Sequence, residues 1–341
     1  SRRGRRATII GATSGDTGGA AIEAFRGREN IDIFIFFPEG RVSDVQRKQM
    51  TTPTDSNVHA LAIDGTFDDC QALVKDMFND ADFRHETGLA GVNSINWARV
   101  MAQTVYYFTA SAQLSGPDKE VAFSVPTGNF GDIFAGYVAK QMGLPIAQLI
   151  IATNINDILA RVLKTGTYEI GDVVASTSPS MDIQVSSNFE RLLFEVTGRN
   201  TAEVCRLMRE LTGKRKFSLS SKVLDVIRGS FAAERVDEVE TAKIIKDIFE
   251  KDGMLLDPHT AVGYGAALRS DLPVSTPIVT LATAHPAKFP TSVEKACNRQ
   301  AEEIIDTPER VKVMMKQDET YETCPNDLAQ VQDFIRQKKT D

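Results

Sequence analysis

Residues Gly11–Ala21 read GATSGDTGGAA, and they lie between a short apolar run, Ala7–Ile10, and the helix-forming stretch Ala20–Arg26. A strand therefore feeds a loop of glycines and small hydroxyl residues, and the loop feeds a helix N-terminus. Thr13, Ser14, Asp16 and Thr17 stand among Gly11, Gly15, Gly18 and Gly19. Such a loop leaves backbone N–H groups bare and, with the helix dipole, turns them toward an anion. A second loop of the same kind, PTGNFGD at Pro126–Asp132, joins the strand-like Val121–Val125 to the helix-like Ile133–Met142. Two strand–loop–helix anion sites in one chain predict a ligand with more than one anionic group, or two ligands side by side.

The surrounding sequence sets these loops in a βαβ rhythm. Ile31–Phe37 is a continuous apolar run, as a parallel strand buried on both faces requires. Pro38–Arg41 turns into a helix capped at Ser43, Val58–Ile63 is the next strand, and Asp68–Phe78 is a helix capped by Thr66 or Asp68. A long helix over Ser94–Ala112 precedes the strand before the second loop, and Gln148–Thr153 and Asp157–Lys164 follow as strand and helix. Helical segments are then expected at Glu190–Val196, Ala202–Leu211, Val223–Glu234, Glu240–Phe249 and Pro258–Leu268, with a last core strand at Pro277–Ala282 and a polar, helical end. This alternation predicts a doubly wound α/β protein of two lobes, with ligands beyond the carboxyl ends of the strands.

Composition narrows the function. The chain has 341 residues, 42% hydrophobic and 25% charged, which suits an enzyme-sized unit with a sizeable core. A net charge of −7 argues against a general nucleic-acid footprint. Cys70, Cys205, Cys297 and Cys324 show no CxxC spacing, so neither structural zinc nor a disulfide framework is expected, and reduced thiols in the cytoplasm fit better. No metal and no membrane span are expected. Ser1–Arg6 is a basic lead, read as an exposed arm, and a chain that reaches a core strand so soon is expected to be part of a longer protein.

Polar clusters mark the candidate chemistry: Thr13–Thr17, Asn93–Arg99 (NSINWAR), Thr127–Asp132, Asp257–Thr260 (DPHT) and Thr283–Lys288 (TAHPAK). Each also has a plainer explanation. Asp257 with Pro258 behind it suits a helix cap better than catalysis, Asn96–Arg99 reads as a helix start with Trp97 in the core, and His59 and His85 carry no pattern. The glycine loops are harder to set aside. Neither is GxGxxG with a following acidic residue, and neither is a Walker loop, which leaves a phosphate held chiefly by backbone amides.

The motifs GATSGDTGGAA, PxGRVSxxQxxQM (Pro38–Met50), GTFDDCQ (Gly65–Gln71), VNSINWAR (Val92–Arg99), VPTGNFGDIFAGY (Val125–Tyr137), ATNxND (Ala152–Asp157), SPSMDIxxSSNFER (Ser178–Arg191), LDPHTAVG (Leu256–Gly263) and TAHPAKF (Thr283–Phe289) closely resemble, in this order, those of the longer threonine synthases of fungi and many bacteria. The resemblance implies a fold-type II pyridoxal-phosphate enzyme, similar to the tryptophan synthase β subunit, with two lobes of parallel-rich twisted sheets and flanking helices. It implies the conversion of O-phospho-L-homoserine and water into L-threonine and phosphate. The smaller, mobile lobe is expected at 7–110, the larger cofactor-binding lobe at 111–330 and a polar tail at 331–341.

The resemblance also assigns residues. Gly128, Asn129, Phe130, Gly131 and Asp132 match the loop for the phosphate of pyridoxal 5'-phosphate, and at Gly128 a Cβ branch is expected to press against the phosphate and glycine freedom of φ to matter. Thr283 matches the residue facing the pyridine nitrogen. Ser14, Asp16 and Thr17 match the loop for the substrate α-carboxylate, and Asn93, Ser94, Asn96, Arg99 and Lys288 are candidates for the substrate phosphate. One motif has no counterpart. The family's Phe-Lys-Asp, which carries the Schiff-base lysine, does not occur, so that lysine is expected upstream of Ser1 and this chain alone is expected to be inactive. A phosphate-ligand-binding homologue without chemistry, or another fold-type II lyase such as a threonine dehydratase, remains the alternative. Small-molecule substrate, no nucleic acid and a monomer or homodimer complete the expectation.

Overall fold

The computed structural model describes residues 6–13, 15–93, 95–114 and 119–340. Its strands, in chain order, are β1 (Ala7–Ala12), β2 (Ile31–Pro38), β3 (Val58–Asp64), β4 (Leu89–Gly91), β5 (Val121–Pro126), β6 (Ile146–Thr153), β7 (Thr167–Glu169), β8 (Lys216–Ser218), β9 (Phe231–Arg235), β10 (Ile278–Thr280) and β11 (Glu322–Pro325). Two compact units result, one of residues 1–93 with 306–341, the other of residues 94–305.

The first unit is built on a five-stranded sheet in the order β11-β3-β2-β1-β4, with every neighbour parallel. The expectation for the apolar run after Arg28 holds: successive residues of β2 enter opposite cores. Phe34 and Phe36 join Leu73, Val74 and Met77 on one face, while Ile33, Ile35 and Phe37 join Ile22 and Met50 on the other. The flanking helices start where hydroxyl caps were expected. Ser43 and Gln46 form a capping box, and Thr66 rather than Asp68 caps the next helix, with Asp69 completing the box. Arg6 is no free arm, since its guanidinium pairs with the buried Asp32 at 3.2 Å; Ser1–Arg5 lie outside the described residues.

The second unit carries a four-stranded parallel sheet, β10-β5-β6-β9, and a small antiparallel pair, β7-β8. Here β5 and β6 repeat the two-faced pattern, with Val121, Phe123, Val125, Leu149 and Ile151 in the main core and Ile150 and Ala152 in a second one. The helix Pro258–Leu268 lies close on this sheet because Gly263 has no side chain: a Cβ there would meet Thr280 Cγ2 at 2.9 Å and Pro126 Cγ at 3.0 Å.

Three expectations are corrected. The lobe boundary falls at 93/94 rather than near 110, because the helix Trp97–Leu114 packs along the helix Gly131–Gln141, with the buried Tyr107 hydroxyl donating to the Asp132 carbonyl at 2.8 Å. Residues 231–235, expected to continue a helix, form β9 instead: the helix Ser221–Arg228 ends at Gly229, and the helix-forming letters Ala-Ala-Glu-Arg are overridden by parallel pairing with β6. The end of the chain is not a polar tail. β11 closes the edge of the first sheet beside β3, and the helix Leu328–Lys338 buries Val331 and Ile335 in the core with Phe34 and Leu73.

Removing that apolar anchor has a defined cost. Ile335→Ala should lower the unfolding free energy by about 2–4 kcal/mol, the usual range for a truncated core isoleucine, in chemical denaturation. A truly polar tail would give a change within about 0.5 kcal/mol, and that result would remove the terminal helix from the core.

Candidate functional site

The second glycine loop begins where β5 ends and runs into the helix Gly131–Gln141. Its shape is set by what its carbonyls do. Ser186 Oγ donates to the Gly128 carbonyl at 2.6 Å. The Asn129 carbonyl accepts from the Asn188 backbone N–H at 3.0 Å and from Asn188 Nδ2 at 2.9 Å. In a trans peptide the carbonyl and the next N–H point in opposite directions, and the described residues contain no cis peptide. Tying back these two carbonyls therefore turns the N–H groups of Asn129 and Phe130 the other way. The first helical bond runs from Phe134 N–H to the Phe130 carbonyl, so the N–H groups of Gly131, Asp132 and Ile133 are first-turn donors with no partner in the helix. The result is a ring of amides at a positive helix end.

Two residues make the loop rigid. Gly128 passes so close to the turn Pro179–Met181 that a Cβ would stand 2.5 Å from the Ser180 carbonyl oxygen. The need for glycine is thus close approach, and not the φ freedom expected from sequence, since Gly128 is absent from the positive-φ residues. That conformation belongs to Phe130, at φ 64°. A bulky residue is costly there, and it is held by its buried ring, which packs edge-on to Phe189 at 5.3 Å and beside Phe231 at 5.8 Å.

Asp132 contributes a backbone amide, while its carboxylate is engaged elsewhere. Tyr107 Oη donates to Asp132 Oδ1 at 3.1 Å. Burial pushes the Asp132 carboxyl up to about 6, against the opposing pull of the tyrosine hydroxyl. These features fit a phosphate: five amides at a helix end, in a loop whose path is fixed by its anchored carbonyls and by the close approach of Gly128 to Ser180.

The neighbouring strand brings Thr283 to the same edge. β10 pairs in parallel with β5, Leu281 N–H donates to the Ser124 carbonyl at 3.0 Å, and Thr283 follows as an exposed residue beyond the carboxyl end of the sheet. Lys288 ends a short 3-10 turn, Pro286–Lys288, further along that segment.

In the NSINWAR stretch, Asn96 acts as a helix cap, its Oδ1 accepting from Ala98 N–H at 2.9 Å. Trp97 does not fill the core; it is 48% exposed, with the Arg191 guanidinium 5.6 Å above its ring and Arg191 Nη2 bonded to the Ile95 carbonyl at 2.6 Å. Arg99 is half-buried, and that burial lowers its affinity for the proton. A cleft of about 770 Å³ opens beside Trp97, Ser187 and Arg191, but none of the residues nominated for the site line it.

The first glycine loop, in the first unit, differs from its expected bare form. Thr13 Oγ1 accepts from Gly15 N–H at 2.9 Å and from Gly18 N–H at 3.0 Å, so two loop amides are already satisfied. Gly15 takes φ 137°, and Asp16 Oδ1 accepts from Gln46 Nε2 at 3.2 Å. Asp16 and Thr17 open the helix Asp16–Phe25, and Asn93 is the last residue of the same unit before the boundary. Ser14 and Ser94, also nominated, lie outside the described residues.

Sequence reasoning gave no role to Ser186, Ser187 and Asn188. The polar triplet before an apolar helix was the available signal, but nothing local shows that it reaches back 58 residues to the loop. DPHT is the helix cap that its plainer reading described: Asp257 caps Pro258–Leu268, accepting from the N–H groups of His259 and Thr260.

Comparison with known proteins agrees with this geometry. Residues 1–218 match the family model of pyridoxal-phosphate dependent enzymes, and residues 260–335 match the C-terminal model of threonine synthase. The chain is 51% identical to threonine synthase of Pseudomonas aeruginosa over 98% of its own length and 71% of that protein. It is 48% identical to threonine synthase of Saccharomyces cerevisiae over 85% of the chain, spanning 60% of that relative. Among solved structures, pyridoxal-phosphate-bound threonine synthase of Brucella melitensis superposes with a TM-score of 0.92 at 57% identity, covering 100% of this chain and 72% of that one. Maize serine racemase, at 14% identity and a TM-score of 0.56, shares the fold alone. The carbonyl-anchored amide loop, the parallel sheets that present it and these relatives lead to one assignment: the chain belongs to the threonine synthase family of pyridoxal-phosphate-dependent, fold-type II enzymes.

Proposed function

We propose that the protein acts as a threonine synthase, converting O-phospho-L-homoserine and water into L-threonine and phosphate. The observation that carries this reading is the loop Gly128–Asp132, whose anchored carbonyls turn its amides to one side. In this reading the loop Gly128, Asn129, Phe130, Gly131 and Asp132 holds the cofactor phosphate through the amides from Asn129 onward, and the Thr283 hydroxyl faces the pyridine nitrogen. When bound, the cofactor draws electrons from the substrate Cα, which lets protons leave neighbouring carbons and phosphate leave Cγ. A hydroxyl at Thr283, unlike a carboxylate, leaves the nitrogen largely unprotonated and moderates that pull.

Ser14, Asp16 and Thr17 are assigned the substrate α-carboxylate. The satisfied amides of Gly15 and Gly18 support a narrower role for that loop than a second phosphate cradle. Asn93, Ser94, Asn96, Arg99 and Lys288 are assigned the substrate phosphate, with the half-buried guanidinium of Arg99 as the principal charge. The lysine that carries the cofactor is assigned to sequence outside Ser1–Asp341. Two facts support this: Phe-Lys-Asp does not occur, and the chain spans 71% of the Pseudomonas aeruginosa relative and 60% of the Saccharomyces cerevisiae one. A cytoplasmic enzyme is the matching location, and among the described residues no helix is long and apolar enough to cross a membrane.

Pyridoxal phosphate added to the purified 341-residue chain, followed by borohydride, should leave no stoichiometric adduct on a single lysine. A clean adduct on Lys288 in the peptide map would overturn the assignment and make that residue the cofactor's anchor.

Gly128→Ala already brings a methyl group within 2.5 Å of the Ser180 carbonyl, and Gly128→Val adds a branch. In the full-length enzyme the cofactor Kd should rise more than tenfold, about 1.4 kcal/mol or more, in equilibrium titrations. Unchanged affinity in both variants would move the phosphate site elsewhere.

Arg99→Met should reduce turnover of phosphohomoserine by about 1.5–3 kcal/mol, the size of a charge-assisted contact. Slow deamination of L-serine, which has no phosphate, should change little. Equal loss on both substrates together with a lower melting temperature would make Arg99 a structural residue.

A further inference from the structure

We propose that His259 is a positioning residue for the phosphate loop, acting through the backbone of Ser180 and never touching the ligand. The inference rests on the reading of Gly128–Asp132 as a phosphate site and concerns what keeps that loop in shape.

Asp257 is buried and spends its carboxylate locally. It accepts from His259 N–H at 2.9 Å, from His259 Nδ1 at 2.9 Å, and from the Thr260 hydroxyl. On the far side of the ring, Ser180 N–H donates to His259 Nε2 at 3.3 Å. A backbone N–H can only donate, so Nε2 is the bare nitrogen and Nδ1 carries the proton toward Asp257. The carboxylate thereby fixes both the tautomer and the plane of the ring. Phe289 packs against the ring at 4.9 Å, completing its enclosure, and His259 is 3% exposed.

Ser180 is the middle residue of the turn Pro179–Met181, and both of its peptides are pinned. Its N–H is held by His259. The N–H of Met181, on the same peptide as the Ser180 carbonyl, donates to the Ser178 carbonyl at 2.9 Å. Since carbonyl and N–H of a trans peptide are opposed, the Ser180 oxygen is directed away from Ser178, and it comes to stand 2.5 Å from the Cβ position of Gly128. The rest of the turn is held by Asn154, whose Nδ2 donates to Ser178 Oγ at 2.9 Å and to Asp182 Oδ1 at 2.8 Å. His259 is the one contact to this turn from the helix Pro258–Leu268 among the hydrogen bonds of the described residues. Loosening it frees the Pro179–Ser180 peptide, which leaves Met181 N–H alone to hold the Ser180 carbonyl beneath Gly128.

The test compares His259→Phe, which keeps a ring but removes the acceptor, with His259→Gln, which restores one. Thr260→Val serves as a control that weakens the same cap without touching Ser180. The readouts are the Kd for inorganic phosphate by phosphorus NMR, the Kd for pyridoxal phosphate against that for unphosphorylated pyridoxal, amide exchange at Ser180 and Asn129, and melting temperature. In His259→Phe, affinity for inorganic phosphate and for pyridoxal phosphate should fall together, by roughly three- to tenfold. Pyridoxal affinity should hold, and exchange at Ser180 and Asn129 should quicken. His259→Gln should recover most of the phosphate affinity. Thr260→Val should lower the melting temperature without changing phosphate affinity. A lower melting temperature in His259→Phe with unchanged phosphate affinity would reduce His259 to a helix-cap residue and overturn the proposal. If Gly128→Val also leaves phosphate affinity unchanged, the phosphate reading of the loop fails with it; a silent His259 beside a damaging Gly128→Val defeats only the positioning role. Should His259→Phe fail to fold, His259→Gln against Thr260→Val decides on the same readouts: faster exchange at Ser180 with weaker phosphate binding supports the proposal, and no difference from the control ends it.

Discussion

The near-contact between the Ser180 carbonyl and the α-carbon of Gly128 is the constraint on which the site depends. No side chain fits in that gap, so the residue must be glycine, and the loop must follow one path past the turn. Ser186 and Asn188 then fix the two succeeding carbonyls, and the direction of the amides follows from peptide planarity alone. The loop thus presents a row of donors at a positive helix end without a single cationic side chain of its own. Such rigid amides lose little entropy on meeting a partner.

The parallel sheet supplies the platform. β5 is buried along its whole length, and its alternating side chains are gripped by a core on one face and by the helix Pro258–Leu268 on the other. Ser124 Oγ donates to the Gly263 carbonyl at 2.6 Å, joining strand and helix through a buried bond. The left-handed Phe130 is tolerable only because its ring is an integral part of the same core. Loop geometry and core packing are therefore not separable here: a change in Phe189 or Phe231 is felt at the amides.

Much of this was legible because it is local. The glycine loops, the caps at Ser43, Thr66 and Asp257, and the continuous apolar strands all follow from residues adjacent in sequence. What was not legible depends on distant partners. Ser180 meets Gly128 and His259 across 52 and 79 residues, whereas the turn of Thr13 onto the amides of its own loop is local and was missed. Nothing in Trp97 itself reveals that it stays exposed under Arg191. Phe231–Arg235 has a helix-forming composition but lies beside β6, and there sheet pairing wins over propensity. The helical end was expected, but its apolar face was a missed local signal, since Val331 and Ile335 are one helical turn apart.

The first sheet is assembled from two separated pieces of chain: four of its strands precede residue 94, and the fifth, β11, arrives after more than two hundred further residues. During synthesis β3 must therefore wait with an open edge, its backbone N–H and C=O groups available to any extended segment nearby. Closure of that long loop is slow compared with local folding, and the second unit, continuous in sequence, can complete itself in the meantime. The loop Gly128–Asp132 can thus form before the first sheet is sealed. Nascent chains of this design have most to gain from a chaperone that shields a strand edge rather than an apolar surface.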